Sequence, residues 1–165
     1  PRGLCLDRLD GVPLDDYGAA GDLAFRRAGI TKSYGIDGAT LTVTWHLTGL
    51  GGRRFETVLN LAMPSCDGFL GRYVAPDGTI PGGFGQPLAL AASRGVSLED
   101  GVLGGALRLG CDPPAAIGGH PHHTVSQSEA GFEKIMQAAE ILLSWDIFGD
   151  DCRLQLQFTV EAHRP

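Results

Sequence analysis

The stretch FEKIMQAAEILLSWDIFGDDCRLQLQFTVEAH, residues 132–163, decides the fold. Its first half admits two readings. Apolar residues at 132, 135, 136, 139, 142 and 143 follow helical spacing, and Glu, Lys, Met, Gln, Ala and Leu are good helix formers. Yet Ala139, Ile141, Leu143, Trp145 and Ile147 also alternate, with Glu140, Ser144 and Asp146 opposite, which is the period of a half-buried strand. Gly131 weakens a helix at its first turn, by about 1 kcal/mol relative to alanine. Downstream, FGDD reads as a tight turn into CRLQLQFTVEAH, where Leu154, Leu156, Phe158 and Val160 alternate with Gln155, Gln157, Thr159 and Glu161. The expectation is a strand over 137–147, antiparallel to 152–162, with at most a helical turn between Ser128 and Lys134. Tertiary pairing of that kind overrides propensity differences of a few tenths of a kcal/mol.

The same period recurs upstream. TLTVTWHLT places Leu41, Val43, Trp45 and Leu47 on one face, and RRFETVLNLAM places Phe55, Leu59, Leu61 and Met63 on one face. A short glycine-rich turn joins them, so the pair reads as a hairpin. Shorter strand candidates lie at 22–28, 30–35, 70–74, 87–92, 94–98 and 102–109. The stretch from Cys66 to Pro87 is dense in glycine and proline and reads as an irregular excursion suited to lining a cleft or contacting a neighbouring domain. The fold class expected is all-β: a single antiparallel β-sandwich over residues 1–165.

Composition excludes several functions. The 165 residues are 43% hydrophobic and 19% charged, which suits one globular domain. With a net charge of −6 and no basic cluster beyond Arg26–Arg27 and Arg53–Arg54, the chain lacks the face that nucleic acid requires. No apolar run is long enough to cross a bilayer as a helix. Cys5, Cys66, Cys111 and Cys152 are scattered without a C-x-x-C pair, so they read as buried small hydrophobes in a reducing, cytoplasmic setting. A start at Pro1 leads us to expect a fragment or processed piece, and neither cofactor nor metal is expected.

Candidate chemistry concentrates in HPHHTVSQSEAGFEKIMQ, residues 120–137. His120, His122 and His123 are metal-binding residue types, but on a strand His123 points away from the other two, and no second ligand pair has a familiar spacing. Glu129 and Glu133 are too close in sequence to flank a glycosidic bond from opposite sides. Ser126 and Ser128 lack the elbow that exposes a nucleophile. PGGFGQ and GVLGGALRLG carry neither a Walker lysine nor dinucleotide-binding spacing. Trp45 and Trp145 fall on inward faces and read as core.

The run HHTVSQSEAGFEKIMQAAEILLSW resembles the T-V-S-x-S-E-x-G-hydrophobic-E…Q…W signature of the C-terminal domain of glycoside hydrolase family 57 proteins, the α-amylase/4-α-glucanotransferase group. Thr124, Val125, Ser126, Ser128, Glu129, Gly131, Phe132, Gln137 and Trp145 match. Residues 23–63 are similar to the same domain's Lys-x-Tyr, L-x-V-x-W and F-x-x-x-x-N-L segments. There are departures: His120–Pro121–His122–His123 stands where an aromatic or aliphatic residue usually precedes the threonine, and Ala138 stands where glycine is usual. The resemblance implies a galactose-mutarotase-like sandwich that is not itself an enzyme. It would pack on an N-terminal catalytic barrel of the same polypeptide and frame an α-glucan or maltodextrin weakly. His120, His122, His123, Ser126, Ser128 and Glu129 are the candidate carbohydrate-binding residues. The alternative is a mutarotase-like epimerase using His122 or His123 with Glu129 or Glu161 as acid and base.

Overall fold

The computed structural model describes residues 4–66, 70–128 and 131–162, with the backbone alone for Ser128. Among these, thirteen strands join one antiparallel sheet: β1 (Leu6–Leu9), β2 (Val12–Pro13), β3 (Gly18–Gly21), β4 (Ala24–Arg27), β5 (Ile30–Asp37), β6 (Thr40–Thr48), β7 (Arg54–Leu61), β8 (Gly71–Val74), β9 (Gly82–Gly83), β10 (Leu88–Asp100), β11 (Gly105–Ser128), β12 (Gly131–Asp146) and β13 (Asp151–Ala162). The order is β2-β1-β7-β12-β11-β13-β6-β5-β4-β3, with β10, β8 and β9 branching from β11. Tyr73 and Phe84 of the glycine-rich excursion are fully buried, so that stretch contributes to the core.

The contested segment is strand from Gly131 onward, with Ala139, Ile141, Leu143, Trp145 and Ile147 all buried. No helical turn occurs at 131–134, and residues 129–130 lie outside the described part. Two pairings differ from those expected. β12 does not pair with β13: the long β11 lies between them, its 116–128 part bonded to β12 and its 105–112 part to β13. Nor do β6 and β7 form a hairpin; β6 pairs with β5 and β13, β7 with β1 and β12.

Both connections are arches that carry the chain from one layer to the other. Trp45 on β6 packs against Phe55 on β7 and Trp145 on β12, with ring centroids 5.7 and 6.3 Å apart, although several strands separate them within the sheet. Only a sheet folded back on itself brings those faces together. The arches at 49–53 and 147–150 are laced by Gly49 N–H to Asp150 O at 2.7 Å, Gly52 N–H to Ile147 O at 2.6 Å, and Ile147 N–H to Arg53 O at 2.8 Å. Alternation tells which face of a strand points inward but leaves its neighbour open, which is why an arch and a hairpin look alike in sequence.

β10 and β11 pass through the fold-over together, with register shifts between Leu90 and Gly95. Glycine is required at 95, because a Cβ there would lie 2.1 Å from Leu109 O.

A buried polar cluster ties the layers. Asp7 on β1 is enclosed and accepts hydrogen bonds from Tyr17 Oη at 2.9 Å, Lys32 Nζ at 2.9 Å, Trp45 Nε1 at 3.0 Å and Thr57 Oγ1 at 2.9 Å. Lys32 also donates to Cys5 O at 2.8 Å and lies 5.5–5.7 Å from the ring centres of Tyr17, Tyr34 and Trp45. Burial works against its ammonium, but the charge and hydrogen bond of Asp7 outweigh that and raise its pKa above the ordinary lysine value. Burial pushes the neighbouring Cys5 thiol up to about 12. A second enclosed carboxylate, Asp100, accepts from Ser65 N–H and Oγ at 2.9 and 2.6 Å and from Val102 and Leu103 N–H at 2.9 and 3.0 Å.

Asp7→Ala should cost about 3–5 kcal/mol of stability, because it strands a buried ammonium. Urea unfolding measures this, and Asp7→Asn combined with Lys32→Met should cost less than the sum of the two singles. Asp100 gives an acid-side prediction. Burial raises its pKa, but the bonds from Ser65, Leu103 and Val102 lower it by more, and the net value is depressed. Its contribution is therefore present above the unfolded pKa of about 3.9 and lost as pH falls through the lower folded value. The urea midpoint should fall through that window, and Asp100→Asn should flatten that part of the curve.

Candidate functional site

The described candidates of the 120–137 stretch fall on one protruding element. β10 follows β11 no further than Gly119, and β7 follows β12 no further than Ala139. Residues 120–128 and 131–138 continue as a two-stranded ribbon, about 30 Å long at 3.3 Å per residue. Pro121 sits where β11 has become an edge, the setting in which a strand tolerates proline.

The register assigns the faces. His120 lies opposite Glu140 and His122 opposite Ala138; Gln137 is then the extra residue of a bulge, after which His123 lies opposite Met136 and Ser126 opposite Glu133. His120, His122, Thr124 and Ser126 share the outer face. His123 is on the inner face with Pro121, Val125, Gln127, Met136, Lys134 and Phe132. His120, His122 and Ser126 are exposed and His123 is half-buried. The Ser128 side chain and Glu129 lie outside the described residues. Glu161, offered as an epimerase partner for the histidines, sits at the opposite end of β11, where it accepts from Arg108 at 2.7 Å beside Ala106. The fold does not bring it to His122 or His123.

The inner face of the ribbon continues the core face of β11 and β12 past the end of the core. Met136 is still buried, whereas Val125 is 70% and Phe132 78% exposed. The core face thus extends onto an element with two open edges, where Val125 and Phe132 stand beside Lys134 and Gln127.

A second feature lies at the other end of β12, where the arches meet. A groove of about 440 Å³ runs between the 113–116 segment of β11 and the 146–151 turn. Phe148, in the tight turn that the sequence predicts, is 94% exposed at this groove. Arg54 donates to Ser144 Oγ at 3.0 Å and lies 3.6 and 3.7 Å from Glu56 and Asp146. That contact explains why Ser144, expected outward, is buried. Trp145 Nε1 donates to Pro113 O at 3.0 Å beneath the groove. The only sequence signal for this site is an aromatic residue placed in a polar turn.

The family model for the α-amylase/4-α-glucanotransferase C-terminal domain matches residues 14–158. The chain belongs to this family. No curated protein matches the sequence at a significant level. Among solved structures, the 4-α-glucanotransferase from Thermococcus litoralis is similar to 79% of this chain, with 18% identity and a TM-score of 0.59. The chain spans 18% of that protein's length. At that identity the likeness establishes a shared fold, in agreement with the sandwich that the strand pattern predicts. The α-amylase/4-α-glucanotransferase C-terminal domain thus carries the described part of its most specific run, 124–128 and 131–132, on the ribbon rather than in the core.

Among the described residues no three His, Cys, Asp or Glu side chains gather into a metal-binding group. Zinc added to this domain in a calorimeter should give no stoichiometric, submicromolar binding, and His122→Ala should leave the trace unchanged.

Proposed function

We propose that this chain is the non-catalytic accessory sandwich of an α-glucan-processing enzyme, docked through the inner face of its ribbon onto the catalytic part of the same polypeptide. Membership of the family and the small share of a 4-α-glucanotransferase that the chain spans both support a larger partner. The observation that carries the docking reading is the pair of exposed apolar side chains, Val125 and Phe132, that continue the core face beyond buried Met136. A two-stranded ribbon is marginal in water by itself, so a surface that covers these side chains also stabilises the strands. The catalytic carboxylates belong to the partner. Four cysteines without a C-x-x-C pair suit a reducing cytoplasm.

With the inner face covered, the outer face of the ribbon turns His120, His122 and Ser126 toward the glucan. Imidazole and hydroxyl groups there exchange hydrogen bonds with sugar hydroxyls, an interaction that orients a chain without holding it tightly. The partner barrel would supply the cleft and this edge one of its walls.

Hydrogen exchange tests the docking. Amides of residues 123–136 should be strongly protected in the full-length polypeptide and exchange rapidly in the 165-residue chain. Val125→Ser with Phe132→Ser in the full-length polypeptide should abolish that protection while leaving amides of β6 and β13 unchanged. Equal exchange of 123–136 in both forms would remove the ribbon from the interface.

A further inference from the structure

We propose that the groove beside Phe148 is a saccharide-binding site for a segment of α-glucan, separate from the ribbon. This rests on the reading of the chain as part of an α-glucan-processing enzyme and adds a location that the reading does not require. The groove and the ribbon tip lie at opposite ends of β12, on the order of 45 Å of strand apart. One glucan chain therefore does not touch both through a single sugar.

The chemistry of the groove selects its ligand. Phe148 stands 94% exposed at the groove and presents an aromatic face there. Pyranose rings present a patch of C–H groups on each face, which stacks on such a ring while the equatorial hydroxyls point sideways. Asp146 and Asp151 line the groove with side chains 63% and 79% exposed. Each carboxylate has about four acceptor positions, and the single partners shown, Arg54 at 3.7 Å and His46 at 2.8 Å, leave acceptors for hydroxyl donors. Arg54, held by Ser144, supplies donors on the same side.

Other ligand classes fit less well. An anion would meet two carboxylates and an arginine whose charge Glu56 and Asp146 already balance. A docking protein would have to desolvate both carboxylates around one aromatic ring, whereas interface centres are depleted of charge. A neutral polyol needs an apolar platform ringed by acceptors and donors, and the volume of about 440 Å³ lies within the range of small-molecule sites.

The two tryptophans make the test internal. The Trp145 indole donates to Pro113 O beneath the groove, while the Trp45 indole donates to Asp7 in the core. Titrating the ¹⁵N-labelled chain with maltoheptaose should shift the Trp145 indole N–H saturably and leave that of Trp45 in place. Phe148→Ala should weaken binding about tenfold without lowering the melting temperature, since its ring is almost wholly exposed. An unmoved Trp145 signal, or affinity unchanged by Phe148→Ala, would overturn the site. Loss of binding on His122→Ala with Phe148→Ala silent would move the sugar to the ribbon and equally overturn it. A response to cellohexaose and none to maltoheptaose would keep a saccharide groove but overturn its assignment to α-glucan, and with it the support for that reading of the whole chain.

Discussion

The enclosed pair of Asp7 and Lys32 is the contact on which the two layers depend. Its members and partners come from β1, the segment before β3, β5, β6 and β7, so one carboxylate spans both sides of the sandwich. A buried ion pair is weak evidence for net stability, since desolvation offsets much of the attraction. What it supplies here is specificity. Every donor around Asp7 has a fixed position, and a slip of β5 or β6 by one residue would leave a charge or an indole N–H unpaired in the core. The three aromatic rings around Lys32 add favourable faces to a cation that has left water.

The arches follow from the same constraint. Because Trp45 must reach Asp7 and also pack on Phe55 and Trp145, β6 and β7 have to face one another across the core rather than lie side by side. The laced turns at 49–53 and 147–150 are where both crossings occur, and their backbone groups satisfy each other. The groove at Phe148 is therefore a by-product of the crossing: two chains turning together leave a cleft against β11, with a turn side chain displayed beside it. At the far end of β12 there is no crossing, and the strands simply outrun the second layer. The sandwich thus offers two different surfaces at its ends, a ribbon with exposed Val125 and Phe132 and a polar groove with an aromatic platform.

The sequence by itself determined the strands and their inward faces. Val43, Trp45, Leu47, Ile141, Leu143, Leu154 and Leu156 are buried as the period-2 pattern predicts, because side-chain alternation is a local property of extended backbone. The family was legible too, since Thr124 to Phe132 forms a contiguous and specific run. Tertiary structure alone decided the rest. Alternation carries no information about which strand lies beside which, so β11 could insert between β12 and β13 unannounced. Val160 shows the limit on the other side: it continues the apolar face of β13 yet is 65% exposed, because the opposing layer has ended. Asp7 and Lys32 look in sequence like ordinary surface charges, and Phe148 like one residue of a tight turn. Their burial and exposure depend on partners 25 to 50 residues away and on the crossing of the two arches, which no short stretch of the chain encodes.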